Sequence, residues 1–297
     1  MASSGLVLVD KPQGFTSHDM VAKVRKAMGT KKVGHAGTLD PLATGLLVLG
    51  IDSGTKLLTF LVGADKTYLA TIRLGVSTVS DDSESQVLET AAADLLADIT
   101  PAQIALEISK LTGVIQQRPS SVSAIKVDGK RAYDLVREGV EVNLKTREVN
   151  VYAFEVLSGT KSPEGFIDLE VLVDCSSGTY IRALARDLGH ALGVGGHITS
   201  LRRTRVGSFD VDQANNVSEL ESLRLTPLVE AARDLFETVS LNHQQVTDLV
   251  HGKRISAIGS SSSLVAGVSE AGKLVAVLEP VDSDLKSIVV FQGEVND

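Results

Sequence analysis

The sequence contains no tryptophan, four tyrosines and a single cysteine in 297 residues. One thiol, Cys175, excludes a disulfide framework and a cysteine-based zinc site, and a reducing cytoplasm is the expected setting. Long hydrophobic runs are missing too. The longest, 45–51, is far below the roughly 20 residues that span a membrane. The apolar run 6–9 meets Asp10 and Lys11 at once and is too short for a signal sequence. No membrane insertion is expected. The six histidines, His18, His35, His190, His197, His243 and His251, show no metal-ligand spacing such as His-Glu-x-x-His, so neither a metal nor another cofactor is expected.

Positive charge is also in deficit. A net charge of -8 taken alone argues against a nucleic-acid partner, because phosphates are bound through lysine and arginine. Its distribution matters more. Residues 1–35 hold six lysines and arginines against Asp10 and Asp19. Residues 182–205 hold Arg182, Arg186, Arg202, Arg203 and Arg205 against Asp187 alone. These two basic stretches are candidates for phosphate contacts or, more simply, ordinary solvated surface. By contrast, 80–98 carries six acids and no base, and reads as a solvated face or mobile insert turned away from any RNA.

Length allows one large domain, or a large one with a small one. The run 6–9 predicts a strand, and Thr16 or Ser17 caps a helix to Met28 that Gly29 stops. Alternation over 66–74 puts Tyr68, Ala70, Ile72 and Leu74 on one strand face. Thr100 and Pro101 open a helix that buries Ile104, Ile108 and Leu111. Strands are expected at 149–157 and 166–174, followed by a helix marked by Ile181, Leu184, Leu188 and Leu192. Another helix is expected from Thr226, as cap, to about Phe236. This order gives an α+β domain with a mainly antiparallel sheet and inserted helices. After a short helix near 242–251, strands at 264–268, 274–278 and 287–291 predict a small C-terminal β-barrel. The low-complexity 259–263 run reads as a loop within it. The expected domains are therefore 1–237 and 238–297.

The chemistry concentrates in Gly34-His35-Ala36-Gly37-Thr38-Leu39-Asp40-Pro41-Leu42-Ala43-Thr44-Gly45-Leu46-Leu47. Gly34, Gly37 and Gly45 permit left-handed backbone or close approach, and Pro41 pushes Asp40 into an extended conformation. One helical turn over 41–44, with Asp40 as its cap, is expected. A plain capping role for Asp40 would not require His35, Thr38 and Thr44 around it. A carboxylate acting covalently needs a fixed cation, and Arg182 in Asp174-Cys175-Ser176-Ser177-Gly178-Thr179-Tyr180-Ile181-Arg182 is the best candidate, with an ordinary surface arginine as the alternative. Tyr68 and Tyr180 are candidates for stacking on a base, with core packing as the alternative.

The Gly34–Leu47 string resembles the catalytic motif of the TruB family of tRNA pseudouridine synthases, and the 174–182 string resembles that family's second signature. Lys11-Pro12-Gln13-Gly14-Phe15-Thr16-Ser17 and Lys66-Thr67-Tyr68 follow the family as well. So does 119–133, although Val122 stands where many members have tyrosine. The resemblance runs from about residue 6 to residue 206. It implies the pseudouridine synthase fold, with Asp40 and Tyr68 catalytic and Arg182 paired to Asp40. It further implies that Lys11 and His35 lie close to the substrate, Tyr180 at the reacting face and Leu201 beneath the uracil. The C-terminal unit is similar in texture to a PUA-type RNA-binding module.

The implied reaction converts uridine to pseudouridine in the TΨC loop of tRNA without a cofactor or an obligate protein partner. Asp40 acts either as nucleophile on the sugar carbon or as base on a neighbouring ribose proton, and both routes stay open. One alternative function is a non-catalytic tRNA-binding or tRNA-folding chaperone. Another is an aspartate-nucleophile hydrolase, which normally needs Mg²⁺ held by further carboxylates; 34–47 offers one acid. Catalytic subunits of guide-RNA particles tend to carry basic tails, whereas 293–297 is Gly-Glu-Val-Asn-Asp, so a stand-alone bacterial-type enzyme is expected.

Overall fold

Residues 4–120, 126–127, 130–131, 144–217, 223–256 and 263–291 are described by the structure, a computed structural model. They fall into two units: Met1–Pro41, Gly45–Val62 and Val206–Asp297 in one, Leu42–Thr44 and Gly63–Arg205 in the other.

In the first unit, β1 (Gly5–Lys11) is buried almost throughout, the pattern of a strand covered on both faces. The expected helix follows as Ser17–Met28. Thr16 and Asp19 form a reciprocal capping box at its start, and Gly29 ends it in the left-handed region at φ 63°. Then come β2 (Val33–Ala36) and β3 (Thr44–Ile51). β3 is antiparallel to β1, with Val7 opposite Leu49 and Lys11 opposite Gly45, and β2 also pairs antiparallel with it.

The second unit is built on a mainly antiparallel sheet. Its strands β4 (Lys66–Leu74), β5 (Val76–Thr78), β6 (Val87–Thr90) and β7 (Gly113–Gln117) are followed by the short β8 (Lys126–Val127) and β9 (Lys130–Arg131). Long strands β10 (Arg147–Lys161) and β11 (Ile167–Cys175) come next, then helix Ile181–Ala191 and β12 (Gly196–Val206). The sheet order is β12-β4-β11-β10-β7, with β5–β6 and β8–β9 as separate hairpins. β4 alternates as expected, Tyr68, Ala70, Ile72 and Leu74 all being buried. Helix Pro101–Lys110 has the expected Thr100 cap, completed by Gln103, and buries Ile104 and Ile108.

Back in the first unit, β13 (Phe209–Asp210), β14 (Asn215–Asn216) and β15 (Thr226–Pro227) precede helix Leu228–Leu235. Thr226 is therefore not the helix cap: with Pro227 it forms a short antiparallel pairing with β1, and Pro227 takes the cap position without a side-chain bond. A half-barrel of five strands follows, β16 (Glu237–Leu241), β17 (Ile255–Ser256), β18 (Val265–Ser269), β19 (Leu274–Val281) and β20 (Asp284–Val290), in the order β16-β18-β19-β20-β17. The predicted short helix is His243–Val250, capped by Asn242 with Gln245. Residues 257–262, which include most of the predicted serine-rich loop, lie outside the described residues.

Architecture is thus mixed α+β with mainly antiparallel sheet, as the sequence predicts. Leu6, Leu8, Leu46 and Val48 share one hydrophobic core with Ala266, Leu274, Val277 and Phe291. Val265, Val275 and Leu278, with Leu241 and Leu249, form a second core inside the half-barrel.

Candidate active site

Asp40 stands between two residues whose backbone is pinned. The Ser17 hydroxyl accepts from Leu39 N at 2.9 Å and donates to Leu39 O at 3.2 Å. On the other side, Pro41 O accepts from Gly14 N at 2.9 Å and from Lys11 Nζ at 3.4 Å. The Leu39 and Leu42 side chains are buried. The Asp40 side chain itself is half-buried.

No helical turn forms over 41–44. Residues 41 and 42 make a bend, and Thr44 already begins β3. Proline at the first position serves a bend as well as a helix start, because it fixes φ in both. Gly37 and Gly45 take the left-handed region at φ 84° and 98°. Gly34 does not; it lies within β2, where an added Cβ would sit 3.2 Å from Leu58 Cδ1.

Lys11 is fully buried at the end of β1, its Nζ donating to Phe15 O at 2.7 Å, Pro12 O at 3.0 Å and Pro41 O. Ammonium so placed ties the Lys11–Ser17 turn to the Asp40 loop. His35, half-buried on β2 opposite Leu49, has its ring 6.0 Å from that of His18 in an edge-on arrangement.

In the second unit, Tyr68 is buried on β4 opposite Val173. Leu201 is buried on β12, and its carbonyl accepts from Thr44 Oγ1 at 3.4 Å. Tyr180 caps helix Ile181–Ala191 without a side-chain cap bond. Arg182, in the first turn of that helix, is 6% exposed; its Nη1 donates to Ser80 O at 2.7 Å and lies 3.5 Å from Asp82 Oδ2.

That pairing corrects the expectation for the acidic stretch. Its start is not solvated: Ser80, Asp81 and Asp82 are buried, bonded to Arg182 and Arg186 of the 181–191 helix. Arg186 Nη1 meets Asp81 Oδ2 at 3.1 Å, and Ser80 Oγ donates to Asp82 Oδ1. Burial pushes the Asp81 carboxyl above its ordinary pKa, opposed by Arg186 and Arg182. Two carboxylates and two guanidiniums offset one another's desolvation here, which neither set could do alone.

The basic stretch changes meaning with it. Arg203 is 1% exposed and Arg205 Nη2 is held by Asp174 Oδ1 at 2.6 Å, so, with Arg182 and Arg186 on Asp82 and Asp81, this stretch is not plain solvated surface. Nearby, burial and Arg203 lower Lys66 to about 8, its Nζ donating to Ala64 O at 2.6 Å, and burial pushes the Cys175 thiol up to about 12.

Sequence alone does not announce these contacts of Ser17 and Asp82; Asp82 lies in a run of acids that reads as solvated. Val122 and Tyr133 lie outside the described residues. Among the described residues no group of three or more His, Cys, Asp or Glu is arranged to hold a metal ion.

Comparison with known proteins agrees with the motifs. The model of the TruB family pseudouridylate synthase N-terminal domain matches residues 25–181, and that of the tRNA pseudouridylate synthase B C-terminal domain matches residues 182–240. The chain is 54% identical over 298 residues to tRNA pseudouridine synthase B of Leifsonia xyli subsp. xyli (strain CTCB07), covering 99% of this chain and 98% of the relative. Identity to the protein of the same name from Corynebacterium diphtheriae (strain ATCC 700971 / NCTC 13129 / Biotype gravis) is 47%, covering 98% and 97%. A solved Cbf5-Nop10-Gar1 complex contains a chain with the same fold, at TM-score 0.70 and 25% identity, covering 97% of this chain and 84% of that one. Fixed acid, buried arginine, fold and near-full-length similarity converge, and the chain belongs to the TruB family of pseudouridylate synthases.

Proposed function

We propose that this protein isomerises uridine to pseudouridine in tRNA, at the uridine of the TΨC loop, and that Asp40 is the acting carboxylate. The observation that carries the reading is the pinning of the backbone at Leu39 and at Pro41, which fixes the loop on both sides of its one acid. Preorganised groups of this kind act without reorganisation at the moment of reaction.

A stacked base is out of reach, so the target nucleotide is extruded at a cost of a few kcal/mol. The bond from C1′ to N1 breaks, the uracil turns, C5 bonds to C1′, and the proton lost from C5 is balanced by one gained at N1. Asp40 attacks C1′ or removes a neighbouring ribose proton, and Arg182 is the cation proposed to face it. Tyr68 lies against the base and assists proton loss from C5; a phenol of ordinary pKa about 10 needs a partner for this. Tyr180 and Leu201 pack the uracil, while Lys11 and His35 hold the loop and the nucleotide beside it. Residues 1–237 form the catalytic domain in this reading and 238–297 a PUA-like RNA-binding domain. Neither a protein partner nor a cofactor is required, and a cytoplasmic location goes with a tRNA substrate.

Asp40→Asn tests the proposal. Unmodified tRNA should still bind with affinity near that of the wild type, and pseudouridine at the TΨC position should be absent in a site-resolved chemical map. Appreciable turnover by the variant would remove Asp40 from the chemistry, and a wild type that binds without modifying would favour the chaperone reading.

A further inference from the structure

The 181–191 helix, which carries Arg182, opens on a residue that supplies no cap of its own. Its cap comes from another strand. Gln117, the last residue of β7, is fully buried; its Oε1 accepts from Tyr180 N at 2.7 Å and its Nε2 donates to Tyr180 O at 3.0 Å. Both ends of one side-chain amide are used on one residue's backbone. The Tyr180 N–H is among the donors that a helix start leaves without an intrahelical partner, so the bond is costly to lose once buried.

The residue directly opposite Gln117 on β10 is Arg147. Side chains of directly opposed residues in an antiparallel pair emerge on the same sheet face. The Arg147 guanidinium carbon lies 5.5 Å from the centre of the Tyr180 ring, within cation–π range. One cross-strand pair thus grips a single tyrosine twice, Gln117 by the backbone and Arg147 by the ring. Neighbouring bonds hold the same loop: Ser176 N donates to Asn150 O at 2.8 Å and Asn150 N to Ser176 Oγ at 2.9 Å. Below Tyr180, Arg186 Nη2 donates to Arg118 O at 2.7 Å, so the end of β7 meets the helix at two successive residues.

We propose that Gln117 and Arg147 are positioning residues that set the angle of the Tyr180 ring and the starting point of Arg182. This rests on the reading that Tyr180 lies at the reacting base. Neither residue touches the substrate; both act through Tyr180. The Gln117 amide cannot be replaced by a carboxylate, which would accept from Tyr180 N but face Tyr180 O with a second acceptor.

Fluorotyrosine incorporation gives four ¹⁹F reporters, at Tyr68, Tyr133, Tyr152 and Tyr180, the last assigned by its loss in Tyr180→Phe. Arg147→Met should shift the Tyr180 resonance, and Gln117→Ala or Gln117→Glu should broaden it, with the Tyr68 and Tyr152 signals unmoved. In the same variants kcat on tRNA should fall about ten-fold to 100-fold with KM changed by no more than about two-fold, the pattern of lost alignment and not of lost binding. Arg147 is partly exposed, so its variant keeps the test open if Gln117→Ala does not fold. A Tyr180 resonance unmoved in all variants, or a moved resonance with unchanged kcat, overturns the clamp. Failure of the wild type to form pseudouridine overturns the functional reading instead, a result the fluorine spectra do not depend on.

Discussion

Lys66 shows what burial does to a charge. Its amine is 6% exposed as a residue and sits beside Arg203, so the protonated form is disfavoured and the pKa falls from 10.5 to about 8. Between about 8 and 10.5 the unfolded chain holds a proton that the folded chain has released. Stability therefore rises with pH across that window, and the full cost is present below it. Lys66→Met should be more stable than the wild type at pH 7, with the difference shrinking toward pH 10.5 in urea titrations; an advantage independent of pH would contradict this origin. Cys175 is the opposite case, a thiol held neutral by burial and so inert as a nucleophile. Of the residues singled out from sequence, Asp40 owes its place to contacts within 30 positions, from Lys11, Gly14 and Ser17. Arg182 owes its place to Ser80 and Asp82, about a hundred positions away. The first set was legible as a motif, while the second had no local pattern to announce it.

At the scale of elements, the 181–191 helix is placed as tightly from behind as from the front. A Cβ on Gly189 would lie 2.2 Å from Gly195 C and Gly196 N, so only glycine lets this helix lie against the start of β12. Gly189→Ala should cost about 1–3 kcal/mol through overpacking. It should also lower kcat, because the helix bearing Tyr180 and Arg182 must move; a thermal midpoint equal to that of the wild type would refute the close approach. Periodicity located the β4 strand and the 17–28 and 101–110 helices because each alternates or repeats against one buried face. It failed at 41–44 and at 226 for one reason: proline and a polar neighbour mark a bend or a strand end as readily as a helix start.

For the whole molecule, the half-barrel and the N-terminal strands are bound through a common core in which Phe291 is completely buried. Lys56 reinforces the junction, its Nζ donating to Val290 O at 2.6 Å and lying 5.5 Å from the Phe291 ring centre. Phe291→Ala should destabilise by about 3–5 kcal/mol. Protection from hydrogen exchange should be lost in β1 and β3 as well as in β19, and protection lost in β19 alone would show the two parts to unfold independently. Net charge is misleading at this scale. Acids and arginines that look like separate blocks in sequence neutralise one another inside the second unit, so the free positive surface is smaller than a count of arginines implies.

The sequence by itself determined most of the elements, the place of the one acid in its glycine-rich loop and the family, because each is written in residues close together along the chain. Only the tertiary structure decided that Asp81 and Asp82 are buried counter-charges and that Gln117 and Arg147 hold Tyr180. Charge pairing and capping across strands depend on which groups share a desolvated space, and that is settled by the register of the sheet and not by spacing along the chain.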